Sequence, residues 1–156
     1  MIYVECKPDK ALVQTLLPEV SPRGIVHEKK GTVIQLLSGS RGHRALIDED
    51  PGTLPHPYLE QMTEQERFPG TGIRLLLDEE RNHRVVLLCP RLEGWVVDAA
   101  QVARLNLADY NLPTDPDRLH GVINLNISKF QVLVQRLRDS DRFQARFEAL
   151  RRWLVG

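Results

Sequence analysis

An α/β domain with a mostly parallel sheet of about four to five strands is the fold class that this sequence predicts. Three observations predict it. Short apolar runs alternate with helical patterns over residues 2–47, the rhythm of a parallel sheet with crossover helices. The 156 residues leave room for one core and hardly for two. Apolar residues make up 42% and charged residues 27%, the balance of a globular protein.

The first run, Ile2 to Cys6, reads as a strand; after Pro8-Asp9, the pattern Ala11, Leu12, Leu16 reads as a helix that ends at Pro18 and Ser21-Pro22. Gly24 to His27 is the second strand, followed by a turn through Lys29-Lys30-Gly31 and a helix over Thr32 to Leu37. Ala45-Leu46-Ile47 is the third strand and stops at Asp48-Glu49-Asp50-Pro51-Gly52. Tyr58 to Phe68, set among prolines, suits a helix of two to three turns. Ile73 to Leu77 and Arg84 to Cys89 read as a hairpin that adds an antiparallel edge. Leu92 to Leu105 has a helical pattern, and Asn106 to Asn126, with Pro113 and Pro116, reads as a long loop. Ser128 and Ser140-Asp141 then cap two C-terminal helices, the second burying Phe143, Phe147, Leu150 and Leu154. The expected organisation is a single domain, with a core over about 1–97 and a helical extension over about 128–156.

Lys+Arg 21 balance Asp+Glu 21, which excludes a strongly basic nucleic-acid coat and a polyacidic tail. Two cysteines, Cys6 and Cys89, are too few for a disulfide framework or a cysteine zinc site, and both fall in apolar runs. The N-terminal residues lack the pattern of a signal peptide, and no apolar run has the length of a membrane span. The expectation is a reduced, cytoplasmic protein with no membrane partner.

The informative acids are Glu5, Asp48 and Asp50, each just past an apolar run. Ligands of open parallel sheets bind at the carboxyl ends of strands. Residues two apart in a strand share a face, so Asp48 and Asp50 can aim at one point. Three carboxylates gathered there repel one another unless a cation neutralises them, and hard oxygen donors suit Mg²⁺ or Mn²⁺. The same letters also suit a solvated turn.

Val4-Glu5-Cys6-Lys7-Pro8-Asp9 before a helix, and Ala45-Leu46-Ile47-Asp48-Glu49-Asp50 at a later strand end, resemble the two motifs of the Toprim family in order and spacing. The resemblance covers roughly Met1 to Val97, and Cys6 stands where that family commonly has glycine. It implies a compact α/β fold with Mg²⁺-dependent, nuclease-like chemistry at nucleic-acid phosphodiesters. Glu5 would be a catalytic acid/base or a metal ligand, and Asp48 and Asp50 would hold the metal. Cys89-Pro90-Arg91-Leu92-Glu93-Gly94-Trp95 resembles an element of small standalone Toprim-like proteins of bacterial defence and genome maintenance. Glu93 is then either a fourth carboxylate or an ordinary first-turn glutamate, with Trp95 in the core. The implied partners are nucleic acid and a protein such as an ATPase. The alternative is a non-catalytic module that docks a partner. Asp48-Glu49-Asp50 also resembles the start of haloacid-dehalogenase-type phosphatases, but Gly52 and the preceding strand-helix-strand unit do not fit that pattern.

Lys7, Asp9, His27, Lys29 and Lys30 are candidates for a surrounding shell or for substrate phosphate, since lysines beside a helix N-terminus suit an anion. They suit a solvated turn equally well. Arg136, Arg138, Arg142, Arg146, Arg151 and Arg152 form either a local basic face or the wet side of amphipathic helices. With aromatics at 6%, no base-stacking platform is expected.

Overall fold

The computed structural model describes residues 1–65 and 70–156. Six strands form one mixed sheet: β1 (Ile2–Val4), β2 (Ile25–His27), β3 (Arg44–Asp48), β4 (Thr63–Glu64), β5 (Ile73–Asp78) and β6 (His83–Leu88). Their order is β2-β1-β3-β6-β5-β4. β1 pairs parallel with β2 and β3, and β3 pairs parallel with β6. β5 and β4 complete the sheet antiparallel, so the expected hairpin supplies both an inner parallel strand and the antiparallel edge.

The apolar runs of β3 and β6 are near-continuous because both faces of the sheet are covered. Leu46, Val86 and Leu88 face one core, shared with α1 (Lys7–Leu16) and the later helices α4 (Leu92–Val102), α5 (Pro116–Leu125), α6 (Ile127–Arg138) and α7 (Gln144–Leu154). Ala45, Ile47, Val85 and Leu87 face a smaller core under α2 (Lys30–Ser38) and the single turn α3 (Pro57–Glu60). Phe130 and Leu133 of α6 are fully buried in the same cluster as Leu12 and Leu16 of α1, so the C-terminal extension completes the principal core.

Several expected boundaries move. The two- to three-turn helix over Tyr58 to Phe68 is one turn followed by β4, and residues 66–69 lie outside the described set. Cys6 and Cys89 flank strands instead of lying inside them: Cys6 is the residue before α1 and Cys89 follows β6. The 106–126 loop is largely helical. Asn106 caps a 3-10 turn at Leu107–Tyr110, and Asp115 caps α5 by accepting from Asp117 N–H, with Pro116 in its first turn. Leu119 and Ile123, four apart, bury that helix and outweigh the asparagines and prolines around it. Asn126, not Ser128, caps α6, its side chain accepting from Lys129 N–H. Ser140 precedes a 3-10 turn at Asp141–Phe143 without a side-chain cap. Phe147 is only partly buried, whereas Phe143, Leu150 and Leu154 are core residues as expected.

Candidate functional site

β1 and β3 are parallel neighbours, so their C-terminal ends lie side by side, and the chain places an acid at each. Glu5 follows β1 and Asp48 ends β3. The Glu5 carboxylate accepts the Asp48 backbone N–H at 2.5 Å, which joins the two strand ends directly. Asp48 Oδ1 accepts Leu92 N–H at 2.8 Å, so this carboxylate caps the start of α4. Asp50 reaches the site by a different route from the expected strand alternation. The strand stops at Asp48, and Asp50 turns the chain in a left-handed conformation (φ 51°). Its carboxylate meets Lys30 Nζ at 2.9 Å, and the same ammonium donates to the Asp48 carbonyl at 2.6 Å. Lys30 is thus the counter-charge of the aspartate loop instead of an open phosphate cradle.

Asp9 and Glu93 complete the group. Asp9 is 1% exposed in the first turn of α1; Oδ2 accepts from Cys6 Sγ at 3.1 Å, and Oδ1 is buried with no hydrogen-bond partner. Glu93, 4% exposed, is both things the sequence left open: a first-turn glutamate of α4 and a carboxylate of this cluster. Trp95 beside it is fully buried, as expected.

Crowded, half-dry carboxylates hold protons more tightly than they do in water. Burial pushes Glu5 up, with the charges of Asp50 and Glu93 adding to it against the Asp48 N–H and Lys30. Burial, then Glu5, Glu93 and Asp50, lift Asp48 from 3.8 to about 7 despite the Leu92 N–H. Burial and the charge of Asp48 push Asp9 well above the ordinary carboxylate range. Burial and Asp9 push the Cys6 thiol far up, and Cys89 rises to about 12 through burial and Glu49. Neither cysteine is a nucleophile at neutral pH.

The remaining candidates lie outside this hydrogen-bonded group. Lys7, His27 and Lys29 are exposed around it; His27 ends β2 beside Val4, one residue before Glu5. Of the C-terminal arginines, Arg146 leaves the expected basic face: it is 2% exposed, its guanidinium on Asp98 and the Gly70 carbonyl and against the Trp95 ring. Arg151 pairs with Glu19.

Sequence reasoning missed His120. It lies on α5, within the stretch read as a loop, and its Nδ1 lies 2.6 Å from Glu93 Oε1. Its spacing of three from Asp117, which binds Arg91, was the available signal: residues three apart share a helix face, and both meet the start of α4.

An open groove of about 1110 Å³ begins at Asp48 and Asp50 and extends beside α2, with Leu76 and Leu87 among its apolar lining and Arg74 among its polar lining. Arg74 is held by Glu49 and Glu64. Among the described residues, no group of three His, Cys, Asp or Glu side chains stands ready as a metal cage. Hard oxygen donors are nevertheless concentrated here, and the buried, unpartnered Asp9 Oδ1 is an acceptor that a proton or a cation would satisfy, so the donor set fits a hard divalent ion. No described helix is long and apolar enough to cross a membrane. No protein-family model, curated protein or solved structure matches the chain.

Proposed function

We propose that the chain carries a Toprim-like site in which Glu5, Asp48 and Asp50 bind Mg²⁺ or Mn²⁺ for hydrolytic chemistry at nucleic-acid phosphodiesters. One observation carries this reading: Glu5, Asp9, Asp48 and Glu93 gather at the C-terminal ends of adjacent parallel strands, where burial and mutual repulsion raise the first three. An acid cluster of that kind is costly without a cation, and strand C-termini are where α/β sheets bind ligands. The ion would polarise a phosphate oxygen and supply a nucleophilic water. Glu5, held against the β3 strand end and raised by burial, is suited to take that water's proton. Lys30 keeps the Asp50 carboxylate facing the Asp48 strand end.

A second reading rests on a specific observation. Glu5 is engaged by the Asp48 N–H, Asp48 caps α4, and Asp50 is paired with Lys30, so each acid already has a structural partner. Such a site suits a non-catalytic module that docks nucleic acid or a protein partner, for instance an ATPase of a bacterial defence or genome-maintenance system.

Calorimetric titration of Mg²⁺ and Mn²⁺ into the wild type and Asp48→Asn/Asp50→Asn separates the two. The metal reading expects millimolar or tighter binding that vanishes in the double variant. Identical titrations would overturn it in favour of the docking module.

A further inference from the structure

We propose that His120 is the general acid of this site, giving the proton on Nε2 to the leaving oxygen of the phosphodiester. The inference rests on the hydrolytic reading above and adds to it a residue from a different helix.

His120 Nδ1 and Glu93 Oε1 are 2.6 Å apart, and the Glu93 side chain is 5% exposed while that of His120 is 60% exposed. A carboxylate accepts only, so the ring donates from Nδ1 and turns its Nε2 edge outward. A buried carboxylate that fixes one edge of an imidazole and leaves the other accessible is the arrangement that proton transfer requires. The path to the metal-binding acids is short: Glu93 follows Leu92, whose N–H is bound by Asp48, and the charge of Glu93 acts on Glu5, Asp9 and Asp48. A dyad that served only to dock α5 would duplicate the Arg91–Asp117 pair, which already ties that helix to the residue before α4. In the proposed step water oxygen bonds to phosphorus and the bond from phosphorus to the leaving oxygen breaks. The imidazolium proton passes to that oxygen, and the attacking water gives up its proton to Glu5. Exchange with solvent restores both groups.

A general acid matters only where the leaving group needs a proton, and this distinguishes the role from a structural tie. Wild type, His120→Ala and Asp48→Asn are assayed with Mn²⁺ on a fluorescent single-stranded oligonucleotide and on bis(p-nitrophenyl) phosphate, whose leaving group departs as the anion. For His120→Ala we expect a loss of about 10²-fold on the oligonucleotide and less than about threefold on the activated diester. Added imidazole restores part of the oligonucleotide rate, and Asp48→Asn loses both activities. An equal loss on the two substrates without imidazole rescue would overturn the role of His120 alone. A wild type inert on both would overturn the hydrolytic reading and this role with it.

Discussion

Asp48→Asn is expected to cut metal-dependent turnover by on the order of 10²–10³-fold while making the metal-free protein more stable at neutral and alkaline pH. The amide keeps an oxygen for Leu92 N–H, so the cap on α4 survives and only the charge is lost. The stability change follows from proton linkage. The folded carboxyl sits at about 7 against an ordinary 3.8, raised by burial and then by Glu5. Across that window the folded chain keeps a proton that the unfolded chain has released, so this contribution is complete below the window and is lost as pH rises through it. The Tm difference between variant and wild type should therefore be larger at about pH 8 than at about pH 5, with about 2–4 °C for each kcal/mol in a domain of this size. Mg²⁺ acts oppositely because it binds the ionised acids. It should raise the wild-type Tm at about pH 8, do little at about pH 5, and do little to the variant at either. A variant that melts with the same pH profile as wild type would mean that Asp48 is solvated and ordinary.

Gly72→Ala should destabilise the fold by about 2–5 kcal/mol, a lowering of Tm by roughly 10 °C. Gly72 has φ +66°, where a Cβ is strained, and an added Cβ would lie 2.9 Å from Trp95 Cδ1 and 3.2 Å from the Cys89 carbonyl. The indole cannot yield easily. It is fully buried, its Nε1 donates to the Thr71 carbonyl at 2.8 Å, and Phe143 and Arg146 pack on it. Trp95 is also in the first turns of α4, two residues past Glu93, so displacing it disturbs the Leu92 N–H that holds Asp48. Urea unfolding measures the loss. A change within about 0.5 kcal/mol would show that the indole has room to move.

What was legible in the sequence and what was not divides along physical lines. Runs such as Ala45-Leu46-Ile47 and Arg84 to Cys89 declare strands because β-prone apolar residues buried on both faces leave a continuous local signature. The run before Glu5 and the turn residues after Asp48 likewise place these acids at strand ends. α5 was misread because Asn, Pro and Gly gave the louder local signal, while the burial of Leu119 and Ile123 that sustains the helix depends on a core assembled from distant segments. Asp50 was located correctly for the wrong reason, since its placement comes from a left-handed turn and the Lys30 contact, not from strand alternation.

The sequence alone determined that the fold alternates strand and helix around one core and that Glu5 and Asp48 lie at strand ends, because burial period and turn chemistry are local properties of the chain. Tertiary structure alone decided the sheet order, which sets Glu5 against the Asp48 N–H, and the docking of α5, which brings His120 to Glu93 across 27 positions of sequence. Such contacts follow from which apolar faces cover one another, and that choice is made by the whole core at once.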